Sequence, residues 1–137
     1  MTKDFLFRFL REHKLAVISS LSSKGKPESA LVGIAVTENL ELIFDTVMSS
    51  RKYSNIIAHP GISAVIGWEN ETTVQYEGVA SVVKSDEEIF REIYFDAFPD
   101  GRERFKTWPG LVHFVVRPKW IRYSSFHDPQ QVEEMSW

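Results

Sequence analysis

Apolar and polar positions follow two different rhythms along this chain, helical at its start and strand-like over most of the rest. Phe5, Leu6, Phe9 and Leu10 recur at i, i+1, i+4 and i+5, which gathers four apolar groups on one helical face while Lys3, Arg8 and Arg11 point elsewhere. This predicts an amphipathic helix within residues 1–13. Leu15 to Ser20 reads as a short buried strand, and Ser22-Ser23-Lys24-Gly25-Lys26-Pro27 supplies a turn through Gly and Pro. A second strand runs from about Glu28 to Val36, Thr37-Glu38-Asn39 turns it, and Leu40 to Phe44 forms a third. Ser49 or Ser50 is positioned to cap a helix from Arg51 to about Ala58, with Tyr53, Ile56 and Ile57 inward and His59-Pro60-Gly61 stopping it.

Strands are expected from Ile62 to Trp68 and from Thr73 to Val83, separated by Glu69-Asn70-Glu71. Ser85-Asp86-Glu87-Glu88 has the form of a capping box and opens a helix that buries Ile89, Phe90, Ile93, Tyr94 and Phe98, with Pro99-Asp100-Gly101 ending it. The aromatic run Phe90, Tyr94, Phe95 and Phe98 suits a core and is wide enough to add a subunit contact. Two last strands, Leu111 to Val116 and Trp120 to Phe126, flank Arg117-Pro118-Lys119, and the polar tail 127–137 is expected to be loosely held. Short strands joined by short turns predict a mainly β fold, a closed or nearly closed antiparallel barrel of six to seven strands with a few helices, in one domain spanning 1–137. A barrel this small fills its own interior, so a large ligand belongs in an outside groove that another surface covers.

Composition narrows the function classes. The absence of cysteine excludes disulfides, thiolate metal sites and a cysteine nucleophile, and it makes the cytoplasm the default location. A net charge of −3 with interspersed signs lacks the basic face of a nucleic-acid module, and no apolar run reaches transmembrane length. His13, His59, His113 and His127 are scattered without ligand spacing, so no metal site is predicted. Neither a Gly-x-Ser-x-Gly elbow nor a Walker or dinucleotide glycine motif occurs. Glu87, Glu88, Glu92 and Asp96 read as a solvated helix face.

The informative segment is Ser49-Ser50-Arg51-Lys52. It places two cations on the first turn of a helix, where the macrodipole is already positive, a placement that becomes favourable when an anion binds there. Thr46, just upstream, is positioned to turn its hydroxyl toward the same pocket. Small residues Ser29, Ala30 and Gly33 would let a flat ring approach the second strand, and Gln75 on its strand offers an amide that both donates and accepts.

Taken together, residues from about Leu15 to Val83 resemble the flavin-binding half of the pyridoxamine 5′-phosphate oxidase-like family. The pattern is Phe44-Asp45-Thr46, then Ser50-Arg51-Lys52, then Asn55 and Pro60, then Val74-Gln75 before Gly78. The resemblance implies a split barrel of the FMN-binding type, homodimeric, with FMN at the subunit interface. It implies that Ser50, Arg51 and Lys52 hold the FMN phosphate, that Thr46 touches the ribityl-phosphate side, that Gln75 bonds the cofactor, and that Ala30, Leu31 and Val32 run along the ring through their backbone. The implied activity is FMN-dependent oxidation or reduction of a small molecule, with NADH or NADPH as candidate donors. Alternatives are a flavin storage or redox-sensing protein, and a haem- or deazaflavin-binding relative. The family's second-strand basic residue is replaced by Ala30, and Trp120-Ile121-Arg122-Tyr123 stands in place of its Arg-Leu-His motif, so vitamin B6 oxidation is not implied.

Overall fold

The computed structural model describes all 137 residues. Helix α1 (Lys3–Glu12) is capped by Thr2, whose hydroxyl accepts from the Phe5 N–H, and it lays Leu6 and Leu10 on the main core. Phe5 and Phe9 pack edge-on against Tyr123, with ring centroids 5.1 and 5.4 Å away. Strands β1 (Leu15–Leu21) and β2 (Pro27–Gly33) form the predicted hairpin, with Gly25 at a positive φ of 74° in its turn. The expected second strand breaks at Ile34, and β3 (Ala35–Val36) pairs instead with β4 (Leu42–Val47). Helix α2 (Arg51–Ala58) follows, then β5 (Gly61–Ile66) and β6 (Thr72–Val82).

Inside α2, Ile56 is buried and Tyr53 packs on Phe114, but Asn55 takes the inward place expected for Ile57, which is exposed. The helix can bury Asn55 because its amide finds two acceptors there, Ser20 and Glu28. A 3₁₀ turn (Ser85–Glu87) precedes α3 (Glu88–Ala97), and the reciprocal cap sits one residue early, with the Lys84 N–H donating to Glu87 Oε1 at 3.1 Å. This leaves Ile89 in the exposed first turn of α3, while Tyr94 and Phe95 are the residues fully buried. Helix α4 (Asp100–Thr107) was not expected, since it carries one apolar side chain, Phe105, and is held by Arg104 on Asp45.

The two final predicted strands are one long strand, β7 (Leu111–Ser125). Pro118 is accommodated because the β6 register slips at Glu77/Gly78, Glu77 facing Trp120 and Gly78 facing Pro118, so that Lys119 bulges out. Gly78 is required there, because a Cβ would stand 2.6 Å from the Arg117 carbonyl oxygen. The tail expected to be loose forms β8 (Gln131–Ser136), paired with β7 from Trp120 to Ser125. Three contacts anchor it: Met135 packs on the core, Arg122 forms an ion pair with Glu134, and the Met1 ammonium pairs with Glu133. The result is an eight-stranded, wholly antiparallel sheet in the order β2-β1-β5-β6-β7-β4-β3, with β8 on β7. It curls into a barrel that stays split between β2 and β4. No helix is long and apolar enough to cross a membrane.

Tyr76, Phe44 and Phe114 fill the barrel interior. A second cluster, Ala35, Ile43, Val83, Tyr94, Phe95 and Val115, lies on the outer face of β3, β4 and β7 under α3 and α4. His113 is fully buried there with both ring nitrogens unpaired, boxed by Tyr94, Phe95 and Phe105 at centroid distances of 5.2, 5.4 and 5.2 Å. Desolvation pushes its pKa from 6.5 down to about 4, Asp45 pulling it up and Arg91 and Arg104 pushing it further down.

Between those two values the unfolded chain binds the proton that the folded chain refuses, so this contribution is complete above about pH 6.5 and is lost as pH falls toward about 4. The loss reaches up to about 3 kcal/mol. Urea unfolding of His113→Leu should therefore show a much shallower stability decline over this window than the wild-type chain.

Candidate functional site

The split is bordered by an edge strand with free backbone groups. The bonds from the Ser22 N–H to the Lys26 carbonyl and from the Ile34 N–H to the Lys14 carbonyl fix the alternation of the β1–β2 ladder. Glu28, Ala30 and Val32 therefore bond β1, and the amides of Ser29, Leu31 and Gly33 face the open edge. Side chains alternate as well: Val32 enters the core, Ala30 lines a pocket beside α2, and Leu31 stands on the outer face, 60% exposed.

Helix α2 closes one end of this edge. Ser50 is its N-cap, its hydroxyl accepting from the Tyr53 N–H at 3.2 Å and lying 2.9 Å from the Thr46 hydroxyl, which is itself buried. The cap leaves the N–H groups of Arg51 and Lys52 at the helix start without helical partners. Ile18, Ser20, Glu28, Ala30, Lys52 and Asn55 surround a pocket of about 110 Å³, to which Arg51 and Ser29 also contribute. Of the predicted residues, the structure thus brings Ala30, Arg51 and Lys52 into one pocket, with the Ser50–Thr46 hydroxyl pair at the adjoining helix cap.

Gln75 lies elsewhere. It is exposed on the outer face of β6, in a row that crosses the sheet from Leu31 through Val17 and Val65 to Gln75 and Arg122. Three strand spacings, roughly 14 Å, separate it from Leu31, on the face opposite the α2 pocket.

Glu28 was missed by sequence reasoning. Its carboxylate accepts from Arg51 Nη1 at 3.1 Å and from Asn55 Nδ2 at 2.9 Å, and Asn55 also donates to Ser20 Oγ at 3.1 Å. The alternation that puts Ala30 beside α2 puts Glu28 there too, and that was the available signal. The arrangement offers one well-exposed guanidinium, one ammonium, a hydroxyl pair and helix N–H groups to an anion, with a single carboxylate opposing them. No cluster of three or more His, Asp or Glu is built to hold a metal ion.

Removing the Ser50 hydroxyl deletes both the α2 cap and the partner of the buried Thr46 hydroxyl. Ser50→Ala should cost about 1–2 kcal/mol, read as a lower urea midpoint with unchanged slope.

Solved structures that share this fold include the following three. A haem-binding protein from Mycobacterium smegmatis superposes with a TM-score of 0.82 at 14% identity over 99% of this chain, which spans only 58% of that protein's length. General Stress Protein 26 from Bacillus anthracis gives 0.75 at 18% identity, covering 98% of both chains. HutZ, the haem storage protein of Vibrio cholerae, gives 0.71 at 16% identity over 85% of this chain and 89% of its own. At such identities the likeness is one of fold. No curated protein matches the sequence. The family model for pyridoxamine 5′-phosphate oxidase matches residues 2–125, nearly the whole chain, and the protein accordingly belongs to the pyridoxamine 5′-phosphate oxidase family.

Proposed function

We propose that this chain is a homodimeric FMN-binding protein that serves as an oxidoreductase toward a small molecule. The observation that carries the reading is the convergence of Arg51, Lys52, the Ser50 and Thr46 hydroxyls and the α2 N-terminus beside the free edge of β2. Phosphate suits this donor set, and a flat ring with donors and acceptors on its rim suits the free amides of Ser29, Leu31 and Gly33. Bound flavin would supply hydride or electron transfer, and the chain's part is to hold the cofactor and leave one ring face open. Haem is the second reading, favoured by the structural neighbours named as haem proteins. The pocket lining argues against it at this site, since it contains no His, Cys, Met or Tyr to ligate iron.

The other face of the same strands supports the homodimer. Leu15, Leu21, Leu31, Val65 and Val79 stand 39–60% exposed on the outer side of β1, β2, β5 and β6, where no helix covers them. A two-fold copy seated on this apolar face would bring Gln75 toward a cofactor held by its neighbour.

Absorbance of the purified protein distinguishes the cofactors, with paired blue and near-ultraviolet bands for flavin and a Soret band for haem. Arg51→Ala should weaken FMN by about 10- to 150-fold in a fluorescence titration, a charge-assisted contact being worth about 1.5–3 kcal/mol. Unchanged affinity removes the site. Leu31→Lys, at a position exposed in the single chain, should leave the fold intact and shift sedimentation from dimer to monomer.

A further inference from the structure

A cavity of about 570 Å³, within the usual size of a small-molecule site, lies where the line of β1 stops. The Ile34 N–H donates to the Lys14 carbonyl, and upstream of Lys14 the chain leaves the sheet for α1. On the other side of β3, the Thr37 N–H donates to the Glu41 carbonyl and Ala35 pairs with Ile43. Alternation therefore turns the N–H and C=O of Val36 toward the β1 side, where β3 has no neighbouring strand. Phe7 of α1 and Ile93 of α3 line the cavity beside this backbone.

The charges around the cavity are sorted along its length. Lys3 Nζ donates to Asn39 Oδ1 at one end of α1, and Lys14 Nζ donates to the Ala97 carbonyl beyond its other end, so α1 runs antiparallel to residues 34–39. Arg11 and Lys14 accordingly lie at the Ile34 end, opposed there by Asp96 alone, while Glu38 lies at the far end. All four side chains are exposed and none forms an ion pair, although every other arginine of the chain has one. One end thus carries an excess positive charge and the other a negative charge, four residues or roughly 13 Å apart.

We propose that this cavity binds a free, extended, apolar peptide of about three residues, added antiparallel to β3 in line with β1. One peptide residue opposite Val36 satisfies both of its backbone groups, as a hydrogen-bonded antiparallel pair does. The peptide carboxylate then meets Arg11 and Lys14, and its ammonium group meets Glu38. Three extended residues span about 10 Å, which fits between those ends. A segment inside a longer chain carries neither end charge and forgoes both contacts. Val36 points into the core under α1, and a residue opposite it points the same way, so the middle side chain is small and the outer two lie toward Ile93. No residue of the α2 pocket takes part, so the proposal stands apart from the flavin reading.

Calorimetric titration of the full chain with Val-Ala-Val, its N-acetyl form and its C-terminal amide tests it, with the Val36 amide followed by NMR. The free peptide should bind one per chain, shift the Val36 amide signal and slow its hydrogen exchange. Each capped form should bind about threefold to fivefold more weakly, the scale of one exposed charge pair. Glu38→Gln should erase the penalty of acetylation, and Arg11→Gln should shrink that of amidation. Absence of saturable binding, an unmoved Val36 amide, or capped forms that bind as tightly as the free peptide would each overturn the proposal. Equal binding of the peptide methylated on its middle nitrogen would do so too, since that peptide cannot donate to the Val36 carbonyl. FMN affinity should be the same in both variants as in wild type, and failure of FMN to bind any of them would count against the flavin reading alone.

Discussion

The barrel interior admits no ligand, and the rest of the molecule is organised around that constraint. Tyr76 stands fully buried among Phe44 and Phe114, and its hydroxyl donates to the Leu40 carbonyl at 2.7 Å and to the Val116 carbonyl at 3.2 Å. These bonds satisfy a polar group that burial would otherwise penalise, and desolvation drives its pKa upward. They also tie the turn before β4 to the long strand β7. With its centre packed and internally bonded, the barrel leaves a ligand only its outside, and the start of α2 stands there beside the free edge of β2.

Asn55 connects that opening to the core. By bonding Ser20 on β1 and Glu28 on β2, it holds α2 against the hairpin and fixes where Arg51 emerges. The cost of burying an amide is offset because both of its donors are used. One carboxylate then has two roles: it completes the buried bonds of Asn55 and it lowers the positive charge presented by Arg51 and Lys52.

Features governed by neighbours in sequence were legible. The boundaries of α2 follow from Ser50, a cap that acts within three residues, and the β1–β2 hairpin follows from Gly25 and Pro27 in its turn. Features governed by distant partners were not. Asn55 looks less buriable than Ile57 until Ser20 and Glu28, 35 and 27 residues away, are brought beside it. Residues 127–137 look unstructured because β8 is nearly all polar, and its order comes from the open edge of β7 and from Arg122 and Met1, whose ammonium group pairs with Glu133 at 2.8 Å. In the site, Arg51, Lys52, Ser50 and Thr46 were readable from one short segment. Gln75, expected at the cofactor, lies on the outer face away from the α2 pocket, because sequence alternation cannot tell which side of the sheet holds that pocket.

Strand β2 is where binding and assembly meet, because its three directions have separate uses. Glu28, Ala30 and Val32 point toward α2 and the core, Ser29 and Leu31 point to the uncovered outer face, and the amides between them face the open edge. A second copy covering Leu31 would order the same backbone that a ring must contact. A ligand holding that edge would, in turn, stiffen the strand that the second copy packs against. Two events that each restrict one strand cost less together than apart, so on the reading proposed above cofactor binding and pairing of two copies would be linked through β2, each changing the other's affinity by the same factor.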